Sequence, residues 1–151
     1  MTYVFDSSFI SALIIPEHVA EVKGRASSWA EKNPNVDKIR ASIDEDEEIF
    51  VPQLFWYEIT NVFKNLIRHR RFSHDEVMQF FLPLRAIRMT VDKETENAYT
   101  EKLLHLCNDY NISSYEAAYL ELAGRKKAVL CTLDENLRAA AKKHGVSVIK
   151  A

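Results

Sequence analysis

The chain opens with the stretch TYVFDSS, residues 2–8, and this stretch decides the fold. Four residues that favour β-structure lead into Asp6, and two serines then begin an apolar helical pattern that runs toward Pro16. A short apolar run of this kind is typical of a strand buried on both faces. The stretch therefore predicts a buried strand, an acid at its carboxyl end and a helix directly after it.

The remaining sequence continues this alternation of short strands with helices. Such an order favours an α/β fold, a three-layer sandwich in which a mostly parallel sheet of four to five strands is flanked by helices. The 151 residues, with no linker or repeat, suit one domain spanning residues 1–151. Strands are predicted at residues 2–5, 48–51, 87–91, 128–132 and 146–149, and helices at 9–15, 17–33, 37–43, 53–70, 74–85, 93–110, 113–124 and 135–144.

Local signals mark most of the helix ends. A serine followed three residues later by glutamate can satisfy two free N–H groups at a helix start, and glycine adopts the left-handed conformation that ends a helix. Pro83 predicts a kink or an end, and residues 33–35 predict a turn. The predicted N-caps are Ser73 with Glu76, Asp92, Ser113 with Glu116, and Asp134, and the predicted C-cap is Gly145.

Composition and charge limit the functional classes. The net charge of −2 means that any basic surface for nucleic acid must be local. No signal peptide is visible and no apolar run approaches the ~20 residues that cross a bilayer, so we expect a cytoplasmic protein without a membrane partner. Cys107 and Cys131 have no metal-ligand spacing, which predicts reduced thiols and agrees with that compartment.

Four acids from distant segments are predicted to meet at one edge of the sheet. Asp6 closes the first strand, Asp134 follows the fourth, and Glu58 and Glu116 lie in the early turns of two helices. Ligands of open parallel sheets bind beyond the carboxyl ends of the strands. Clustered carboxylates raise each other's pKa unless a cation is present, and all-oxygen ligands suit Mg²⁺ or Mn²⁺. Such ions activate water for phosphodiester hydrolysis.

Each acid taken alone has a simpler interpretation. Asp6 and Asp134 could only cap the helices that follow them, and Glu116 could only complete a capping box with Ser113. Glu58 could lie on a solvated helix face, although apolar residues surround it on several sides. The joint pattern of four acids outweighs any single member.

The sequence resembles the PIN-domain ribonucleases, and among them the VapC-type toxins of toxin–antitoxin pairs. The resemblance covers nearly the whole chain and is strongest at residues 112–120, where a tyrosine and an acid precede two alanines and Tyr-Leu. Further matching stretches are YVFDSS (residues 3–8), YEITN (57–61) and CTLD (131–134). One position departs from the family pattern, because the third acid is usually Asp and is Glu116 in this chain.

This resemblance implies a homodimeric ribonuclease with a divalent metal ion. It implies cleavage of RNA, commonly tRNA or rRNA, by metal-activated water. It also implies a cognate antitoxin protein that inserts a C-terminal segment into the acidic cleft. On this basis Asp6, Glu58, Glu116 and Asp134 are the candidate catalytic residues and ligands of Mg²⁺, with Mn²⁺ as a substitute.

Other polar and aromatic residues are candidates for supporting roles. Ser7 and Thr132 could donate hydrogen bonds that orient the acids, and Asn61, one helical turn from Glu58, could position a water or a phosphate. For each of these, local capping or helix solvation is an equal alternative.

The basic cluster could contact RNA phosphates or simply stabilise a helix end; it comprises Lys64, Arg68, His69, Arg70 and Arg71. Four aromatics are interpreted as core or as dimer and antitoxin interface, and not as base-stacking platforms: Trp56, Tyr57, Phe80 and Phe81.

Three alternatives to a nuclease share part of this pattern. Haloacid-dehalogenase-like phosphatases need a second Asp two residues after the first, where this chain has Ser8. Response-regulator receiver domains need an acidic pair after the first strand, and that pair is absent. A non-catalytic PIN-like module that binds RNA or protein stays open because of Glu116, and a metal-binding assay would distinguish it from an enzyme.

Overall fold

The computed structural model describes residues 1–15, 36–94 and 96–149. The predicted helix at 17–33 and the predicted turn at 33–35 lie outside these ranges. Four strands are described: β1 (Thr2–Phe5), β2 (Glu48–Pro52), β3 (Thr90–Asp92) and β4 (Val129–Cys131). Eight helices are described: α1 (Ser7–Ile14), α2 (Val36–Ala41), α3 (Phe55–Arg68), α4 (His74–Gln79), α5 (Phe81–Ala86), α6 (Asn97–Tyr110), α7 (Ser114–Lys126) and α8 (Glu135–His144).

The strands form one parallel sheet in the order β3-β2-β1-β4. In register, Val4 lies opposite Phe50 of β2 and Leu130 of β4. The order places β1 at the centre, so the residue after β1 lies between the ends of its two neighbours. This confirms the predicted α/β class and puts Asp6 at the carboxyl edge of the sheet, where ligands of such sheets bind.

Both faces of the sheet are covered by helices. Tyr3 and Phe5 of β1 pack into one apolar cluster with residues of α1 to α5. Val4, which points the other way, packs into a second cluster with residues of α6, α7 and α8. The continuous apolar run of β1 is explained by this burial on two sides, and the three layers follow from it. No helix of the described residues is long and apolar enough to cross a membrane.

The helix ends agree with most of the sequence signals. Ser73 with Glu76 and Ser113 with Glu116 form complete capping boxes. The side chain of Asp134 accepts from the backbone N–H of Leu137 and caps α8. Gly145 ends the same helix with a φ of 82°, a left-handed conformation that costs glycine little.

Three element predictions were wrong. Asp92 does not cap a helix, because its carboxylate binds Arg125 and α6 begins only after Glu96. Pro83 does not end a helix; the break falls at Phe80, and Pro83 lies in the first turn of α5, where a missing N–H costs nothing. The predicted fifth strand is reduced to one parallel bridge between Leu130 and Val148.

Candidate active site

Asp6 is held at the end of β1 by an almost complete set of hydrogen bonds. Its backbone N–H donates to the carbonyl of Cys131 in β4 at 3.1 Å. Its Oδ1 accepts from the hydroxyl of Ser8 at 2.7 Å and from the N–H of Phe9 at 2.9 Å, which makes it the N-cap of α1. Its Oδ2 accepts from the hydroxyl of Thr132. The carboxylate is thus fixed in orientation by the strand, the helix and the neighbouring strand end.

Burial changes the acidity of Asp6. The side chain is only 5 % exposed, and removal from water raises its pKa to about 6, although the hydrogen bonds from Thr132, Ser8 and Phe9 favour the charged form. The nearby carboxylate of Glu58 adds a smaller effect in the same direction as burial. The environment of Asp6 is therefore one in which a positive charge would be favourable.

Glu58 reaches the same edge from the first turn of α3. Its Oε2 accepts from the hydroxyl of Ser7 at 2.7 Å, which links α3 to the start of α1. Its Oε1 is buried and has no hydrogen-bond partner among the described residues. Burial raises the pKa of Glu58, and the charge of Glu116 raises it further, against the hydroxyls of Ser7 and Tyr119. A buried carboxylate oxygen without a partner is costly unless a proton or a cation meets it.

Two residues beside the acids were not assigned a role from the sequence. Ser8 bridges Asp6 to the start of the final motif, because its hydroxyl also accepts from the N–H of Leu133 at 3.0 Å. The buried hydroxyl of Tyr119 lies close enough to Glu58 to act on the pKa of that acid, although it does not meet the geometry of a hydrogen bond. Burial together with the charges of Glu58 and Asp6 raises the pKa of Tyr119. For both residues the only sequence signal was their place in the stretches that match the family pattern, residues 3–8 and 112–120.

Glu116 is the third acid and lies in the first turn of α7. Its backbone N–H donates to the hydroxyl of Ser113 at 3.1 Å, and its Oε2 accepts from the N–H of Ser113 at 3.0 Å. Its charge contributes to the raised pKa of Glu58, so the two carboxylates lie within electrostatic range of each other. The capping function is therefore real, and it uses one of the two carboxylate oxygens.

Asp134 is joined to Asp6 through Thr132. The buried hydroxyl of Thr132 donates to Asp6 and accepts from the backbone N–H of Asp134 at 3.0 Å. The Oδ1 of Asp134 is occupied by the N–H of Leu137 at 2.9 Å. Arg138, one turn on, donates to the carbonyl of Thr132 at 2.9 Å. Asp134 thus belongs to the same hydrogen-bonded edge, with its carboxylate turned to its own helix.

The remaining sequence candidates lie apart from this network. Asn61 is exposed on α3, and no hydrogen bond of its side chain is described. The basic cluster lies at and after the end of α3, with Lys64, Arg68 and His69 exposed. Of the aromatics, Trp56 and Tyr57 are exposed, which agrees with the interface interpretation rather than the core one, although the Trp56 ring contacts Phe55 edge-on. Phe80 is buried, as the core interpretation predicts.

The chemistry of the four acids suits a divalent ion, but their side chains do not already form a metal-binding site. Across the described ranges, no three side chains of His, Cys, Asp or Glu stand close enough to hold an ion as they are. The donor set is nevertheless all oxygen, which matches Mg²⁺ and Mn²⁺. Glu58 offers a buried oxygen without a partner, and the adjacent thiol of Cys131 is kept protonated because burial and Asp6 raise its pKa. These residues fit a hard cation.

The raised pKa of Asp6 predicts a pH-dependent stability of the metal-free protein. Between about pH 4 and pH 6 the folded state holds a proton at Asp6 that the unfolded state has released, so stability falls as pH rises through this window. From pH 5 to pH 7 the loss at this site is about 1 kcal/mol. Urea unfolding in EDTA at both pH values should show it in wild type and not in Asp6→Asn. An equal pH dependence in both proteins would contradict the assignment.

Comparisons with known proteins agree with this fold. A family model described as PIN domain matches residues 26–143, well over half of the chain. The fold is similar to PAE2754 from Pyrobaculum aerophilum, with a TM-score of 0.64 at 18 % identity over 98 % of this chain and 83 % of that one. It is also similar to FitAcB from Neisseria gonorrhoeae, with a TM-score of 0.59 at 16 % identity over 98 % and 96 %. A structure of FitAB bound to an IR36 DNA fragment gives 0.59 at 16 % over 97 % and 93 %. No curated protein matches the chain.

Proposed function

Because the chain belongs to the PIN domain family, we infer that it is a metal-dependent endoribonuclease that hydrolyses RNA phosphodiester bonds. The single observation that carries this inference is a pair of carboxylates, the buried Asp6 at the end of β1 and the partly buried Glu58 in the first turn of α3. Asp6 is fixed by four groups and has a pKa of about 6, and the Oε1 of Glu58 has no partner in the described structure. Such a pair is stabilised by a cation.

The residues divide between holding the ion and fixing its ligands. Asp6, Glu58 and Glu116 would hold Mg²⁺ or Mn²⁺, with Asp134 completing the site. A bound divalent ion supplies a water of lowered pKa and neutralises charge that develops on the phosphate. Ser7 and Thr132 orient Glu58 and Asp6 by donating hydrogen bonds, which fixes the carboxylates before the substrate arrives. Asn61, on the exposed side of α3, remains a candidate for positioning a water or a phosphate.

The biological setting follows from the resemblance to VapC-type toxins. We assign the chain as the toxin of a toxin–antitoxin pair that acts in the cytoplasm on tRNA or rRNA. Its partners would be a cognate antitoxin protein and a second copy of the chain in a homodimer. The acids at an open sheet edge give a cationic segment of an antitoxin a site to neutralise.

A non-catalytic PIN-like binding module is the second candidate. It is favoured by one observation, the use of Glu116 in a capping box that ties up one carboxylate oxygen. Under this alternative the acids are structural caps, and divalent ions have no site.

Metal dependence tests the two candidates against each other. Partner-free protein is incubated with total tRNA and with rRNA in Mn²⁺, in Mg²⁺ and in EDTA, and Mn²⁺ binding is measured by calorimetry. We expect discrete fragments with either ion, none in EDTA, and Mn²⁺ binding that stabilises the fold. Folded protein that binds no Mn²⁺ and leaves both RNAs intact would favour the non-catalytic module.

A further inference from the structure

A cavity of about 360 Å³ opens beside the acids at the carboxyl edge of the sheet. It is bounded by the ends of β2 and β3, the first turns of α3 and α7, and one side of α6. Its size falls within the range of small-ligand sites. The acids do not line it, so it is a second feature of the same edge rather than the metal site itself.

Two tyrosines line this cavity and remain open to solvent. Tyr57 is 77 % exposed and Tyr115 is 64 % exposed, and in the described residues neither ring packs against another aromatic ring. They directly precede Glu58 and Glu116 in the sequence, so the helix turns that carry the acids also carry the rings. Large exposed aromatic faces beside a cleft mark places where a ligand is bound.

The polar groups that line the cavity accept hydrogen bonds or both donate and accept them. None of the described lining residues carries a positive charge. Asp92 is paired with Arg125, which donates to both of its oxygens at 3.1 and 2.6 Å and is shared with Glu121. The other polar groups of the lining, apart from the two exposed tyrosines, are the amide of Gln53, the hydroxyls of Tyr99 and Ser114 and the carboxylate of Glu94. A carboxylate accepts from an amino group, and an amide can both donate and accept on the edge of a planar ring.

We propose that this cavity binds a nucleobase with an exocyclic amine, from single-stranded RNA next to the bond that is cut. The inference rests on the proposed nuclease function, since it places the base beside the scissile phosphate. Tyr57 and Tyr115 stack on the ring, and Glu94 accepts from its amino group. Only an unpaired base can enter, so the cavity selects single-stranded segments such as loops.

Two other occupants fit the cavity less well. A phosphate would meet the carboxylate of Glu94 and no uncommitted cation among the described lining residues. A cationic side chain from a partner protein would also suit the tyrosines and Glu94. It gives no reason, however, for the cavity to lie beside the candidate catalytic acids. An RNA substrate strand must pass that place, which favours the base.

Binding of short RNA tests the proposal directly. Labelled single-stranded oligonucleotides of A, C or U are titrated by fluorescence anisotropy into full-length protein in EDTA, where no cleavage occurs. We expect Tyr57→Ala and Tyr115→Ala each to weaken binding of the A and C strands roughly tenfold, and Tyr57→Phe to bind like wild type. Wild type should prefer A and C over U, and Glu94→Gln should reduce that preference. Leu104→Ala, a change at an exposed apolar residue on α6 outside the cavity lining, is the matched control.

The outcomes separate this proposal from the nuclease itself. Wild type that cleaves RNA, with tyrosine variants that bind the oligonucleotides within twofold of wild type, would overturn the base site and leave the nuclease standing. Weakened binding without any cleavage would support the base site and count against the nuclease. If the tyrosine variants bind RNA normally but lose an arginine-rich test peptide, the cavity binds a cationic protein segment and the base site is wrong.

Discussion

Asp6→Asn should lower metal-dependent RNA cleavage by roughly 1,000-fold or more while the protein stays folded, since a lost metal ligand removes several kcal/mol of charge stabilisation. Asparagine has nearly the same shape, and its carbonyl oxygen can still accept from Ser8 and Phe9. It carries no charge that burial would penalise. The variant should therefore unfold at the same or a higher urea concentration than wild type in EDTA at pH 7.

The combination of lost activity and retained stability is what identifies Asp6 as functional. Cleavage rates and urea unfolding are measured on the same preparations, with Asp109→Asn as the control because Asp109 is an exposed acid on α6. That control should match wild type in both measurements. An Asp6→Asn variant with a rate within tenfold of wild type would show that the carboxylate is only a helix cap.

Thr132→Val should destabilise the protein by about 2–4 kcal/mol, the largest stability effect expected at the site. Valine fills the same volume but leaves Oδ2 of Asp6 and the N–H of Asp134 without the partners that Thr132 supplies. Both groups lie where water is largely excluded, since Thr132 is fully buried and Asp6 nearly so. Hydrogen bonds to a charged group contribute more than neutral ones, which accounts for the size of the effect.

Thr132→Ser is the matched variant for this prediction. It retains the hydroxyl and loses one buried methyl group, which costs about 1 kcal/mol. Urea unfolding at pH 7 should rank wild type above the serine variant and the serine variant above valine. Cleavage should fall with valine as well, because Asp6 loses the group that orients it. Equal stability of the valine and serine variants would mean that the Thr132 hydroxyl contributes nothing.

The sequence predicted the features that neighbouring residues encode. The apolar run of β1 with Asp6 after it, the capping boxes at Ser73 and Ser113, and Gly145 all depend on residues within a few positions, and the structure has them. Parallel strands then require their carboxyl ends to meet at one edge. That is why the meeting place of distant acids could be predicted before their contacts were known.

What failed depended on partners far away in sequence. The sequence around Asp92 predicted a helix cap, but in the structure both of its oxygens accept hydrogen bonds from Arg125, 33 positions away. For Tyr57 the sequence could not decide between the core and an interface, because which face of α3 is buried depends on where α1 and α4 pack. The unpartnered hydroxyl of Tyr119 likewise has no local sequence signature, since it depends on the approach of Glu58 from another helix.

The hydrogen bond between Thr132 and Asp6 joins residues 126 positions apart. It therefore determines how late in synthesis the site can form. During synthesis the ribosome makes Asp6 almost at once but reaches Thr132 only after all four described strands, β4 included, have been translated. N-terminal segments fold first, so the nascent chain carries its first acid without the neighbour that orients it. Interrupted translation therefore releases fragments in which the site is incomplete. All four acids are present in the chain only after residue 134 has been added.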